Sequence, residues 1–214
     1  GIMVVAKNDA AHKGLTDQFR KREVRKVYSA LVYGDMRGDE GVVDLAVGRH
    51  PRDRKRMSAK SPRGREALTR WRVAERFGAV TLLEVEIKTG RTHQIRVHLA
   101  YAGHGLLGDQ TYGGKKRLGA VLGQGAAIGN AFPRQALHAA SLGFDHPVTG
   151  ERLEFSAPLP ADMAGLIAPA AMSAVEPSRN WRRSNVNDIL VILPMWGRSS
   201  QPLGRRLTRS LLAR

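Results

Sequence analysis

The chain has 214 residues, with 35 Lys+Arg against 19 Asp+Glu, a formal net charge of +16, 42% hydrophobic residues and no cysteine. That length and apolar share suit one globular domain, or one domain with a tail. The missing cysteine excludes disulfides, Cys-ligated zinc, iron–sulfur clusters and thiol catalysis, while the charge points to a polyanionic partner, nucleic acid before an anionic membrane.

Ile2–Ala6 is a short apolar run that predicts a buried strand. Asn8 or Asp9 is placed to cap a helix through about Arg22, with Leu15 and Phe19 on one face. Val27–Gly34 predicts a strand ending at a turn glycine, and Gly41–Val47 another. Ala67–Phe77 and Val80–Ile87, separated by Gly78, predict an antiparallel hairpin. Thr92 is the expected cap of a helix to about Ala102. Gly113–Phe132, rich in Gly and Ala, reads as a flexible insertion. Leu137–Phe144 and Arg152–Phe155 flank a Pro/Gly turn at 146–150, and Pro160 opens a last helix through about Ile167. Strands outnumber helices and many adjoin as hairpins. The expected fold is α+β, a mixed, mainly antiparallel sheet with flanking helices.

The longest apolar run, Ile189 to Trp196, has eight residues and contains Pro194. A bilayer-spanning helix needs about 20, so no membrane partner is expected. Composition divides the chain into a body, 1–163, and a basic tail of uncertain structure, 164–214, whose basic residues are all Arg. In the tail, Trp181-Arg182-Arg183 and Leu203–Arg214 could extend an RNA-binding surface; the plainer reading is sequence without a functional fold.

Residues 49–72 hold ten Lys/Arg against Asp53 and Glu66. Like charges this dense repel without a counter-anion, so phosphate contact by this stretch is expected over a merely solvated loop. The candidate RNA contacts are Arg49, Arg52, Arg54, Lys55, Arg56, Lys60, Arg63 and Arg65. A second feature is the turn and helix start at Lys88–Leu99. Arg91, His93 and Arg96 sit where the helix dipole already favours anions, which predicts an anion site. His93, Arg96, Val97 and Ala100 would share a helix face. His93 and His98 lie five apart with no Glu after His93, so no metal site is expected. Tyr28 and Tyr33 lie an odd distance apart on one strand and would face opposite sides. No nucleotide-binding or serine-hydrolase motif occurs, so no cofactor is expected.

Several segments together resemble the RluA/RluD-type RNA pseudouridine synthases. They are Gly1–Lys7, Arg25–Ala30, Thr89–His98, Gly108–Gly114, Arg134–Ala139, His146-Pro147 and Phe155–Pro158. The resemblance covers about residues 1–163 and looks closest to the ribosomal large-subunit branch. It implies an enzyme that flips uridine out of structured RNA and isomerises it to the C-glycoside without a cofactor. By motif position, Tyr28 would contact the uracil and help remove its C5 proton. Arg96 would pair with the nucleophilic aspartate, while Arg91 and His93 would belong to the same wall and contact RNA.

The family's aspartate lies in an Arg-Leu-Asp motif just before the strand that matches Ile2–Ala6. No Arg-Leu-Asp occurs in residues 1–214. The expectation is a catalytic domain truncated just after its nucleophile and inactive alone, with Arg96 left without its carboxylate. The implied setting is a cytoplasmic monomer whose partner is ribosomal RNA or a ribosomal precursor particle. The rival readings are a non-catalytic RNA-binding protein and a basic ribosome-associated protein.

Overall fold

The Asn8 side chain accepts the amide of Ala11 at 2.8 Å and starts the first helix. A polar side chain there satisfies an amide that the helix itself leaves open. The helix closes at Arg22, whose left-handed backbone (φ 64°) returns its amide to the carbonyls of Gln18 and Phe19. In the computed structural model, which describes residues 1–113, 129–171 and 189–192, this helix is α1, Asp9–Lys21. It follows β1 (Met3–Ala6) and precedes β2 (Arg25–Tyr33). Leu15 is buried as expected, but Phe19 is 42% exposed, with the Lys26 ammonium 5.5 Å from its ring centroid.

The remaining elements are β3 (Glu40–Asp44), β4 (Gly48–Arg49), β5 (Met57–Ser58), β6 (Leu68–Arg76), β7 (Val80–Ile87), α2 (Gln94–Tyr101), β8 (Leu137–Asp145), β9 (Arg152–Ser156), α3 (Ala161–Ala171) and β10 (Ile189–Ile192). Six strands form the main sheet in the order β3-β6-β7-β2-β8-β9, and every pairing is antiparallel. The α+β fold with flanking helices is present, and the sheet is antiparallel throughout the described residues. Gly78 turns the β6–β7 hairpin at φ 73°, a conformation that favours glycine. The expected strand through Val47 stops at Asp44, because the chain leaves the sheet there to enter the basic loop.

Period-two alternation along β2 sends residues to both faces. Tyr28, Ala30 and Val32 pack with Leu83 and Val85 of β7 and with Ile95 and Leu99 of α2. Leu31 and Tyr33 pack on the other face with Val80, Leu107 and Met163 of α3. The two tyrosines therefore face opposite sides. A third cluster joins Leu15 of α1, Val24, Leu142, Phe144 and Ile189.

Of the segment 113–132, residues 114–128 lie outside the described residues, as do both tail segments singled out in the sequence. The division drawn at residue 163 falls inside α3, and Ile189–Ile192 pairs antiparallel with β1. No helix among the described residues is long and apolar enough to cross a membrane.

Candidate active site and basic loop

The turn between β7 and α2 is held by one buried amide. Gln94 Oε1 accepts from the Thr89 hydroxyl (2.8 Å) and the Arg91 amide (3.0 Å). Its Nε2 donates to the Leu68 carbonyl and to Thr69 Oγ1, both at 3.0 Å. All four hydrogen-bonding positions of the side chain are thus filled. The helix cap differs from the expected Thr92. His93 is the cap residue, with a left-handed backbone (φ 58°) and no side-chain capping bond. The Gln94 network fixes the turn from within, so a Thr92 cap has nothing left to organise.

His93 uses its side chain elsewhere. Its Nδ1 lies 3.0 Å from the Tyr112 hydroxyl, and that hydroxyl also accepts the Met57 amide at 2.8 Å. Burial, then the neighbouring Arg96 charge, pushes the His93 pKa down from its ordinary value, against a weaker pull from Asp109. The ring is therefore kept neutral at pH 7, and Tyr112 can donate its hydroxyl proton to Nδ1, leaving the imidazole proton on Nε2.

Arg96 has a carboxylate partner, which corrects the expectation that it stands alone. Its Nε and Nη2 donate to the two oxygens of Asp109, each at 2.8 Å. The Asp109 side chain is fully buried and that of Arg96 is 14% exposed. Burial alone would raise the Asp109 pKa. The Arg96 bonds and the amides of Tyr112 and Thr111 outweigh it and hold the carboxyl below its usual value. Gly108, at φ 67°, brings Asp109 in; a Cβ there would run into the Arg134 carbonyl. Asp109 and Tyr112 are the site residues that sequence reasoning left without a role. Both lie inside the Gly108–Gly114 segment, and a buried carboxylate 13 residues from an arginine leaves no periodic trace.

Tyr28 sits half-buried on β2, packed against the sheet and α2 cluster, and burial raises its phenol pKa. No hydrogen bond joins it to Arg96 among the described residues. Its strand partner in β8 is Ala139, whose carbonyl accepts the Ile2 amide at 3.0 Å. The start of β1 therefore lies beside the Tyr28 rung.

The basic stretch is a closed loop. Val47 and Arg65 exchange two 2.9 Å backbone bonds at its neck, and β4 pairs with β5 above it. Val47, Ala67, Met57 and Ala59 pack on Val97, Ala100 and Tyr112, which docks the loop on α2. Arg49, Arg52, Arg54, Lys55, Lys60, Arg63 and Arg65 are exposed, and only Arg56 is partly withdrawn. None of the eight forms an ion pair among the described residues. Arg70 and Arg72 belong elsewhere: they lie on β6 opposite Glu86 and Glu84 of β7, and Arg72 pairs with Glu84 at 3.3 Å. Arg91 is tied to the loop's exit through a 3.0 Å bond from its Nε to the Glu66 carbonyl, and Glu66 also pairs with Arg22. Burial, then Arg65 and Arg22, lowers the Arg91 pKa. The described residues bring Arg56, His93 and Arg96 together around Tyr112, while Tyr28 packs from β2 against Ile95 and Leu99 of the same helix.

On an α+β fold, the structure thus sets a docked loop of cations without ion pairs among the described residues beside a buried arginine–carboxylate pair. Sequence comparison carries this to a family. A model described as RNA pseudouridylate synthase matches residues 1–101. The ribosomal large subunit pseudouridine synthase D of Vibrio cholerae is 50% identical over 165 residues, 76% of this chain and 50% of that protein. The uncharacterized RNA pseudouridine synthase YlyB of Bacillus subtilis is 46% identical over 167 residues, 78% of this chain and 51% of that protein. The chain thus spans about half the length of these relatives. Human RNA pseudouridylate synthase domain containing 1 superposes with a TM-score of 0.58 at 30% identity, over 72% of this chain and 62% of that one. Human RNA pseudouridylate synthase domain containing 4 shares the fold at TM-score 0.64. The chain belongs to the RNA pseudouridine synthase family and is of its RluA/RluD type.

Proposed function

We propose that this protein serves the isomerisation of uridine to pseudouridine in structured RNA, with large-subunit ribosomal RNA as substrate, as a monomer in the cytoplasm. The observation that carries the reading is the set of cations without ion pairs among the described residues on a docked loop next to the Arg96 site, in a chain of this family. In the reaction the N1–C1′ bond of uridine breaks, the ring turns, a C5–C1′ bond forms, the C5 proton leaves and N1 gains a proton. No redox partner is needed.

Tyr28 is the residue proposed to touch the flipped uracil and help remove the C5 proton; its raised pKa keeps the phenol protonated at pH 7, so it begins as a hydroxyl. Arg96, held by Asp109, supplies the fixed positive charge beside the nucleophilic carboxylate. The eight loop cations, with Arg91 and His93, are the proposed RNA contacts, and 1–163 is the proposed catalytic body. Residues 1–214 contain no Arg-Leu-Asp, so we propose that they supply the wall of the site and not its nucleophile, and that they are inactive by themselves.

The test is tritium release from ribosomal RNA labelled at uracil C5, with residues 1–214 run beside a version extended upstream through an Arg-Leu-Asp segment. Release by the extended protein alone supports the reading. Release by residues 1–214 overturns the division of roles. Release by neither, with salt-dependent RNA binding by both, leaves an RNA-binding protein without the chemistry.

A further inference from the structure

Arg56 differs from the seven cations that share its loop. Its guanidinium carbon lies 5.4 Å from the Tyr112 ring centroid, and Arg96 lies over the same ring at 4.8 Å. Two arginines thus converge on one tyrosine, but the carboxylate there is spent. Asp109 Oδ2 accepts Arg96 Nε, and Oδ1 accepts Arg96 Nη2 and the amides of Thr111 (2.9 Å) and Tyr112 (3.0 Å). Arg56 Nε is buried and has no hydrogen-bond partner among the described residues. No carboxylate among the described residues answers this guanidinium, and the side chain is only partly withdrawn, so the rest of its fork stays open to an anion.

Tyr112 makes this arrangement. Its hydroxyl holds the Met57 amide, one residue along from Arg56, and its ring carries the Arg56 guanidinium. The same hydroxyl holds His93 and the same ring carries Arg96. We propose that Arg56 is a built phosphate contact for the RNA backbone at the mouth of the Arg96 site, and that Tyr112 is the positioning residue that holds it there. This rests on the RNA reading above and adds to it a division among the loop cations. The seven exposed ones attract the polyanion, whereas Arg56 meets one phosphate at a set place. Guanidinium suits this task because its planar fork matches a phosphate's oxygens.

The experiment measures binding of a single-stranded RNA oligonucleotide to the whole chain across a salt series, for the parent protein, Arg56→Gln, Tyr112→Phe and the double variant. Thermal melts establish that each is folded. Arg56→Gln is expected to weaken binding roughly tenfold, the loss of one charged hydrogen-bonded contact, and to lower the salt slope by about 0.7. Tyr112→Phe keeps every charge and the ring, yet is expected to weaken binding and lower the slope by the same amounts. The double variant is expected to be no weaker than Arg56→Gln. Tyr112→Phe binding like the parent protein, or adding its full effect to that of Arg56→Gln, overturns the positioning role. A parent protein that binds no RNA overturns the RNA reading as well, which separates the two failures.

Discussion

Arg96 and Asp109 lie 13 residues apart and meet through two 2.8 Å hydrogen bonds, with the carboxylate wholly out of water. The pair joins α2 to the turn after it and gives the guanidinium one orientation. A bidentate arginine–carboxylate contact sets direction as well as distance.

Asp109→Asn keeps the shape and removes the charge. It strands the Arg96 cation in a mostly buried place, and the expected loss is about 3–5 kcal/mol of folding stability, read by urea titration. The parent protein should also weaken in acid. The Asp109 pKa is held below 3.8 in the folded state, so its contribution is complete above that unfolded-like value and is lost as pH falls through the lower folded one. An acid unfolding limb as steep in Asp109→Asn as in the parent protein would contradict this.

His98 is fully buried, with Nδ1 2.9 Å from Thr69 Oγ1 and Nε2 2.9 Å from the Leu45 carbonyl. Burial lowers its pKa from 6.5, outweighing the Leu45 carbonyl and Asp44. The unfolded chain therefore binds a proton more readily than the folded one. Stability is full above about pH 6.5 and declines as pH drops through the folded pKa. His93 and His138, whose values are also lowered, act in the same sense. Melting temperatures of the parent protein at pH 7.5 and 5.5 should differ more than those of His98→Gln.

Gln94→Ala empties a four-bond hub: the Arg91 amide and the Thr89 hydroxyl lose their acceptor, while the Leu68 carbonyl and Thr69 Oγ1 keep the Lys88 amide and His98, respectively. Each buried group left unpaired costs about 1–3 kcal/mol, less where water enters. The expected total is at least about 2 kcal/mol in a denaturant melt. Because the same amide holds the His93 turn, the His93 resonances should shift in an NMR spectrum. Unchanged stability would show that the turn is held by other contacts.

Arg54→Ala and Arg63→Ala remove exposed cations with no ion pair among the described residues. Each should reduce the salt slope of single-stranded RNA binding by about 0.7 and alter folding stability by no more than about 0.5 kcal/mol. A fall in stability with unchanged RNA binding would mark these residues as structural.

Much of the fold was legible because its signals are local. Asn8 before an apolar-periodic run, Gly34 after a β-rich run and Gly78 between two strands act within a few residues of themselves. Thr92 misled for a related reason: it has the right chemistry for a cap, but the neighbouring Gln94 reaches across to β6 and settles the turn first. Arg70 and Arg72 continue the run of basic residues in sequence, but the alternation from Ala67 to Phe77 already assigned them to a strand, and on β6 they face Glu86 and Glu84.

The sequence by itself determined the strands of the main sheet and the three helices among the described residues, the charge, the family resemblance and the identity of the cationic loop, because periodicity, composition and motif spacing are properties of neighbours along the chain. Only the tertiary structure decided that Arg96 has Asp109, that Tyr112 gathers Arg56, His93 and Arg96, and that β1 enters beside Tyr28. Those contacts join distant residues through burial and hydrogen-bond geometry, and burial is what turns an ordinary arginine and aspartate into a fixed pair.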